Sequence, residues 1–311
     1  MRLLSAFALL LAACSAGEPD DLGPERPDDV GQVRTDAPGY VAYTIGNAPL
    51  VLAAPHDGDL LPTTLRDRTC AACVTATDLH TQALAQAVAD SFAAAHGCRP
   101  HLVVSRLHRR KLDPNRDLPE ASDGDAGAEA AWRAYHTFLD TARTRIERQF
   151  GRGLFVDVHG HGHTIPRVEL GYLLSTTTLR GSDAGLNAPA AVAASSLRVL
   201  IQQNRGGTSH ANLLRGPVSL GALLAARGYR AVPSPDEPAP NAGEAYFDGG
   251  YSTARHGSRD GGRVDGVQAE MPFPGVRDTP DARARYAGAL ARSLGTFLRT
   301  HYFGALPAPC R

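Results

Sequence analysis

Short apolar runs alternate with amphipathic stretches along most of the chain. The runs, which are typical of buried strands, cover residues 49–54, 101–105, 154–159, 169–175 and 267–271. Between them, apolar residues recur at helical spacing, which predicts helices at 78–96, 126–150, within 188–203, after Ser219 and at 281–302. Strands that alternate with helices predict an α/β fold, with a mixed, mostly parallel sheet flanked by helices. We find no internal repeat within residues 40–305 and interpret them as a single domain.

The first 39 residues follow a different pattern. A charged head and an apolar run at 1–13 predict an export signal that is too short to span a bilayer, and its end, Leu11-Ala12-Ala13-Cys14, resembles the lipobox of bacterial lipoproteins. Residues 14–39 are rich in Asp, Pro, Gly and Glu, which predicts a disordered tether. We therefore expect a lipid on Cys14 to anchor the protein in the bacterial cell envelope, facing the periplasm or the exterior. Ser15 favours the outer membrane, and an ordinary cleaved signal is the alternative.

The charge balance and the cysteine count limit which binding partners and which cellular compartment we expect. The 32 Lys and Arg balance the 32 Asp and Glu, and the absence of a basic stripe argues against nucleic-acid binding. Apart from Cys14 the cysteines are even in number, which predicts two disulfides in an oxidising compartment. Three pairings are possible, and we favour Cys70 with Cys73 and Cys98 with Cys310, the second tying down a tail at 306–311. A redox pair or half of a zinc knuckle is the alternative for the Cys-x-x-Cys.

Imidazoles gather where two predicted strands end. His56 follows the run at 49–54, and a His-Gly repeat follows the run at 154–158. Residues two apart on a strand point to the same side, so one cleft would receive Asp157, His159, His161 and His163. Imidazole is the commonest biological zinc ligand, so we interpret these residues as a metal site. A solvated polar turn is the alternative.

Carboxylates complete the predicted site. His56, His159 and one carboxylate would supply two nitrogens and one oxygen to a single zinc ion and leave a fourth position open, as in catalytic sites. Glu270 lies in an apolar strand, where a carboxylate is costly unless it has a function. We expect it to act as the general base that takes a proton from the attacking water. Pairing with an arginine is the alternative role of Glu270.

Five motifs in sequence order resemble the N-formylglutamate amidohydrolase family, over nearly all of residues 40–302. They are Pro55-His56-Asp57-Gly58, Asp78-x-x-Thr81, the run from Arg106 to Arg116, Asp157-x-His159 and Glu270. That family is similar in turn to the zinc carboxypeptidases and to the aspartoacylase and succinylglutamate desuccinylase group. The resemblance implies a zinc-carboxypeptidase-like fold of the phosphorylase/hydrolase type, with one zinc at the strand ends.

The resemblance also implies individual roles. Arg109 would lie over the developing oxyanion, and Asn115 and Arg116 would hold a substrate carboxylate, unless this run is simply a solvated loop. For the second metal ligand, the His-x-x-Glu spacing of the carboxypeptidases points to Asp59. Their ligating carboxylate also opens a helix that begins with Thr-Gln-Ala, which here follows Asp78, at the predicted N-cap. We prefer Asp78 and keep Asp59 open.

A glycine-rich segment at 246–251 precedes the Glu270 strand, and its Tyr251 would cover bound substrate or belong to a surface turn.

Together the features of the whole sequence predict an exported, lipid-anchored zinc amidohydrolase that cleaves an N-acyl or peptide amide bond next to a free carboxylate. A zinc carboxypeptidase acting on exported or cell-wall peptides is one alternative. A non-catalytic surface lipoprotein that binds acidic ligands is the other.

Overall fold

A computed structural model describes residues 29–311, so the predicted signal peptide, Cys14 and the first half of the predicted tether lie outside the described residues. The strands of the described chain are β1 (Val33–Thr35), β2 (Val41–Thr44), β3 (Leu50–Ala54), β4 (His101–Ser105), β5 (Gly153–His161), β6 (Val168–Gly171), β7 (Ala231–Val232) and β8 (Val264–Pro272). They form one sheet in the order β1-β2-β4-β3-β5-β8-β6-β7.

The helices of residues 29–311 lie on both faces of this sheet. They are α1 (Thr81–His96), α2 (Leu118–Ser122), α3 (Ala126–Phe150), α4 (Thr176–Leu179), α5 (Asp183–Leu186), α6 (Pro189–Ala194), α7 (Arg198–Gln203), α8 (His210–Arg215), α9 (Leu220–Ala225), α10 (Tyr251–His256) and α11 (Pro280–Phe297), which continues into a π-helical turn at Leu298–Phe303. None of the described helices is long and apolar enough to span a membrane.

The centre of the sheet is parallel and its flanks are partly antiparallel. Strands β4, β3, β5 and β8 run parallel to one another, and so do β6 and β7. The pairs β1–β2, β2–β4 and β6–β8 are antiparallel. The predicted α/β fold with a mixed, mostly parallel sheet is therefore confirmed.

The period-two pattern of the central strands decides what lies on each face. In β5, Leu154, Val156 and Val158 belong to the core cluster that includes residues of α1 and α11, whereas Phe155 belongs to the cluster under α3. Alternation therefore directs Asp157 and His159 to the α3 side. In β8, Val267, Ala269 and Met271 belong to the same cluster as α1 and α11, so alternation directs Gln268 and Glu270 to the other face. In β6, Val168 and Leu170 belong to that cluster, and Glu169 has the opposite parity. A polar patch is thus formed within the sheet, at the carboxyl ends of β5 and β8.

Two features differ from the sequence prediction near the N-terminus of the described chain. Val33–Thr35, inside the predicted tether, forms the edge strand β1, and Val41–Thr44 forms β2. β1 is short and mostly exposed, so it lacks the apolar run by which buried strands are identified. The part of the tether prediction that covers these residues is wrong.

Two predicted elements are also shorter than expected. The strand predicted to reach residue 175 ends at Gly171. The helix predicted within 188–203 is divided into α6 and α7, because Ser195 adopts an extended backbone and the Ser196 hydroxyl donates to the Gly266 carbonyl, 2.7 Å away. A serine side chain that bonds to a distant strand stabilises the break between the two helices.

Both favoured disulfides are present. Cys70–Cys73 lies within the irregular segment between β3 and α1, and Cys98–Cys310 joins the end of α1 to the C-terminal tail. The second bridge spans a sequence separation of 212 residues. In the chain-entropy model a loop of this length stabilises the fold by about 5 kcal/mol.

Candidate functional site

Three side chains from separate parts of the chain converge on one point. His56 follows β3, Asp78 precedes α1 and His159 lies in β5, and all three are buried. The Nδ1 atoms of His56 and His159 are 3.1 Å apart, and they lie 3.1 and 3.2 Å, respectively, from Oδ2 of Asp78. Ligands about 2.0–2.1 Å from a tetrahedral zinc ion are separated by about 3.3 Å. The triangle therefore has the size of three metal ligands, with the fourth corner open.

The second nitrogen of each imidazole faces another carboxylate. His56 donates from Nε2 to Oδ1 of Asp113, 2.7 Å away, and Nε2 of His159 lies 3.0 Å from Oδ2 of Asp157. The bond to Asp113 places the ring proton of His56 on Nε2, and the nearby Asp157 carboxylate favours the same tautomer of His159. In these tautomers both Nδ1 lone pairs point at each other and at the Asp78 oxygen. Such an arrangement is repulsive unless a cation, either a proton or a metal ion, lies between the three atoms. The donor set of two imidazoles and one carboxylate fits a divalent metal.

The charges around the cluster shift the pKa values of Asp78 and His159 so that both side chains favour their charged forms. Burial raises the pKa of Asp78, but His56 and His159 outweigh burial and hold that pKa well below its ordinary value. Burial lowers the pKa of His159, but Asp157 and Asp78 outweigh it and raise that pKa well above its ordinary value. Without a metal the cluster therefore retains a proton, which a metal ion has to displace.

The choice between Asp78 and Asp59 depends on how α1 begins. Asp78 is not the N-cap as predicted, since His80 occupies that position without a side-chain capping bond. Asp57 instead accepts hydrogen bonds from the backbone of His80 (2.9 Å) and Gln82 (3.0 Å). Because Asp78 does not cap the helix, its carboxylate is available to the cluster, where it also accepts a hydrogen bond from the Gly160 N–H at 3.2 Å. Asp59 is exposed to solvent and does not belong to the cluster.

Glu270 lies next to the cluster on the neighbouring strand. It pairs with His159 in the register of β5 and β8, and only 5% of its surface is exposed. The Gln268 amide donates to its Oε1 at 2.9 Å. Burial raises the pKa of Glu270 to about 8; the charge of His159 opposes this shift, and the carboxylate of Asp78 adds to it. Glu270 is thus a buried carboxylate on the strand next to His159, and its role as general base stays a prediction.

Arg109 contacts two carboxylates of the cluster and its surroundings. Its Nε donates to Oδ2 of Asp113 at 2.8 Å, and its Nη1 lies 3.5 Å from Oδ1 of Asp78. Nη1 also donates to the Ala76 carbonyl at 3.2 Å. In this arrangement Arg109 orients the two carboxylates that contact His56. Its predicted contact with an oxyanion stays a prediction.

The three predicted substrate-binding residues lie near one another but differ in their contacts. Asn115 is buried, with Nδ2 3.4 Å from Nε2 of His159 and with Oδ1 accepting from the Ser252 N–H at 2.8 Å. A Cβ atom at Gly250 would lie 2.4 Å from the Asn115 amide, so glycine is required for this approach. The half-exposed Arg116 forms an ion pair with Glu120 at 2.9 Å. Tyr251 packs against Trp132 and His136, with ring centroids 6.0 and 5.6 Å apart.

Three residues of the site escaped the sequence analysis. Asp113 lies inside the run from Arg106 to Arg116. Gln268 lies in the predicted strand at 267–271, two residues from Glu270 and therefore on the same face. Arg277 had no such signal. It is buried and donates to the carbonyls of Met271 (3.1 Å), His161 (3.2 Å) and Leu79. It thereby joins the segments that carry Glu270, His159 and Asp78.

Comparisons with known proteins give only distant likenesses. No protein-family model and no curated protein matches the chain. A gene product of Agrobacterium tumefaciens has 17% identity and a TM-score of 0.46, over 83% of this chain and 94% of that one. N-formylglutamate amidohydrolase from Ralstonia eutropha has 16% identity and a TM-score of 0.48, over 81% and 94%. N-acetylmuramyl-L-alanine amidase Ami1 from Mycobacterium smegmatis has 12% identity and a TM-score of 0.32, over 80% and 96%. Likenesses at this distance carry no argument about the activity of this chain.

Proposed function

We propose that the protein is a zinc-dependent amidohydrolase that cleaves an N-acyl or peptide amide bond next to a free carboxylate. The observation that carries the proposal is the convergence of two imidazole lone pairs and one carboxylate oxygen beside the buried Glu270. The order of motifs that resembles the N-formylglutamate amidohydrolase family supports an amide as the bond that is cleaved.

The proposed metal ligands are His56, Asp78 and His159. A zinc ion bound there supplies a Lewis acid that lowers the pKa of a water molecule and polarises the amide carbonyl. Glu270 takes the proton of the attacking water, and its burial excludes solvent that would otherwise stabilise its charge. Asp113 and Asp157 keep the imidazoles in the tautomer that presents Nδ1 to the metal.

The substrate carboxylate is assigned to the surroundings of Asn115 and Arg116. Arg116 exposes 31% of its side chain, and its guanidinium pairs with Glu120 in the first turn of α2. A partly exposed pair of this kind is worth little free energy, so a substrate carboxylate can replace Glu120 at small cost. Asn115 adjoins His159 and so links the proposed carboxylate contact to the proposed metal site.

The proposal is tested by metal analysis and a substrate screen on the domain purified without the N-terminal segment. We expect about one zinc ion per chain and hydrolysis of N-acyl amino acids or peptides, with loss of activity when the carboxylate next to the bond is amidated. Release of a C-terminal residue from longer peptides would identify a carboxypeptidase instead. A protein that binds acidic ligands without turnover would be a binding lipoprotein.

The location is a separate proposal. We infer from the lipobox-like Leu11-Ala12-Ala13-Cys14 that the protein is lipid-anchored in the cell envelope. Cys14→Ser should move it from the membrane fraction to the soluble fraction of cells that express the full chain. A variant that still sediments with membranes would contradict the anchor.

A further inference from the structure

A row of polar residues crosses three neighbouring strands at one level of the sheet. His159 of β5 pairs with Glu270 of β8, and Glu270 pairs with Glu169 of β6. Residues directly opposite each other on paired strands point to the same face, with Cα atoms about 5 Å apart. The row therefore extends the proposed site by one strand beyond the general base.

Both carboxylate oxygens of Glu169 contact other residues. It is fully buried, yet its two oxygens have partners: Oε1 lies 3.0 Å from Nδ1 of His163, and Oε2 accepts from the Phe247 N–H at 2.9 Å. A buried carboxylate that holds one nitrogen of an imidazole orients the ring. Phe247 stacks on the same ring, with centroids 4.6 Å apart. His163 is thus held from two sides.

The His163 ring is partly accessible to solvent. The His163 side chain is 21% exposed and Phe247 is 44% exposed. The His163 imidazole is therefore accessible from solvent, whereas Glu169 is not. Glu169 fixes Nδ1, which leaves Nε2 directed away from the buried carboxylate. An imidazole held in this way can carry a proton to a group bound over the site.

We propose that His163 donates the proton to the leaving amine, with Glu169 as its positioning residue. This inference rests on the proposed amide hydrolysis. When the C–N bond breaks, the amine nitrogen takes the proton from Nε2 of His163, while Glu270 holds the proton taken from water. His163 then regains a proton as Glu270 returns its own. The carboxylic acid first formed gives its proton to the released amine, so that one water is consumed and one carboxylate and one ammonium group are formed.

His161 provides a matched control two residues away. Its Nε2 donates to the Arg167 carbonyl at 2.8 Å, and its Nδ1 accepts from the His163 N–H at 3.1 Å. Both nitrogens are therefore used inside the protein, and this imidazole is not free to donate to a ligand. A substitution at His161 disturbs the same loop without removing the proposed proton donor.

The test uses amides of one acyl group with leaving amines of decreasing basicity, because the need for a proton donor grows with the basicity of the amine. For His163→Gln we expect kcat to fall by about 10²-fold or more for the most basic amine and by less than about tenfold for an aniline. Glu169→Gln should show the same trend, and His161→Gln a uniform effect. Metal content should stay at the wild-type level in all three variants.

Two outcomes separate the failure of this inference from the failure of the proposed function. If wild type hydrolyses the series and His163→Gln lowers all rates equally, or acts on KM alone, His163 is not the proton donor. The same conclusion follows if His161→Gln reproduces the leaving-group trend. If wild type hydrolyses no amide of any series, the proposed function itself is wrong.

Discussion

Two groups of buried histidines lie on the same side of the sheet and differ in what their nitrogens face. In the first, His56 and His159 present their Nδ1 atoms to each other and to Asp78. In the second, His136 donates from Nε2 to the Pro114 carbonyl at 3.1 Å and accepts from Nε2 of His256 at 2.8 Å. Both of these contacts join a donor to an acceptor, and the remaining nitrogen, Nδ1 of His256, lies 3.3 Å from Oδ1 of the half-exposed Asp140.

The difference shows that lone-pair direction, not the number of histidines, marks a candidate metal centre. Burial lowers the pKa of His136 to about 2 and also lowers the pKa of His256, so the second pair is neutral at pH 7. The first group has nearby carboxylates that raise the pKa of His159 despite burial. The first group therefore brings three buried acceptor atoms together and requires a cation, whereas the two rings of the second group bond to each other without one.

The largest effect should come from removing a converging nitrogen. His159→Ala removes one of three proposed ligands, so we expect the zinc content to fall from about one per chain to near zero. Elemental analysis after dialysis, together with hydrolysis rates, measures both consequences. His56→Ala should behave alike. Retention of stoichiometric metal by both variants would show that the converging lone pairs do not form a metal site.

Glu270→Gln should separate metal binding from turnover. The amide is nearly isosteric but cannot accept a proton, so kcat should fall by about 10²- to 10⁴-fold. Metal content should be unchanged, because Glu270 is not among the converging ligands. Steady-state kinetics and elemental analysis on the same preparation provide the comparison. Wild-type turnover in this variant would contradict the role of Glu270 as general base.

Metal affinity should rise with pH across the neutral range. The pKa of Glu270 is raised to about 8, chiefly by burial, and that of His159 is also raised, so the metal-free protein holds both protons at pH 7. Binding of a cation expels them, and the affinity should rise about tenfold per pH unit for each proton released. Calorimetry in buffers of different ionisation enthalpy counts these protons.

Glu270→Gln provides the control for this titration. It should release one proton fewer than wild type, whereas the neutral His136–His256 pair contributes no proton in either protein. A metal affinity that is independent of pH between about 6 and 8 would contradict the protonation scheme of the first group.

The smallest effect should come from the second histidine group. His256→Ala leaves Nδ1 of the buried His136 without its donor, which should lower the free energy of unfolding by about 1–3 kcal/mol. Denaturant unfolding measures this loss, and zinc content should stay at the wild-type level. Loss of metal from this variant would show that the two groups are coupled, through Pro114 and its neighbours Asp113 and Asn115.

Much of the scaffold was predictable because it depends on local periodicity. The apolar run before His159 and the stripe of the long helix at 126–150 predicted β5 and α3 closely. The two histidines and Glu270 were identified because each closes or interrupts an apolar strand. The edge strand β1 was missed because three mostly exposed residues carry no such pattern.

The sequence by itself determined the residue types and their parity on the strands, since alternation along a strand sends every second side chain to one face. Only the tertiary structure decided which partners those side chains meet. Asp78 contacts the histidines because Asp57, and not Asp78, accepts the backbone hydrogen bonds at the start of α1. Asp59 is exposed and does not reach them. Asp113 reaches His56 across 57 residues, and Arg277 reaches the Leu79 carbonyl across 198. Such contacts depend on the path of the whole backbone, which no local spacing encodes.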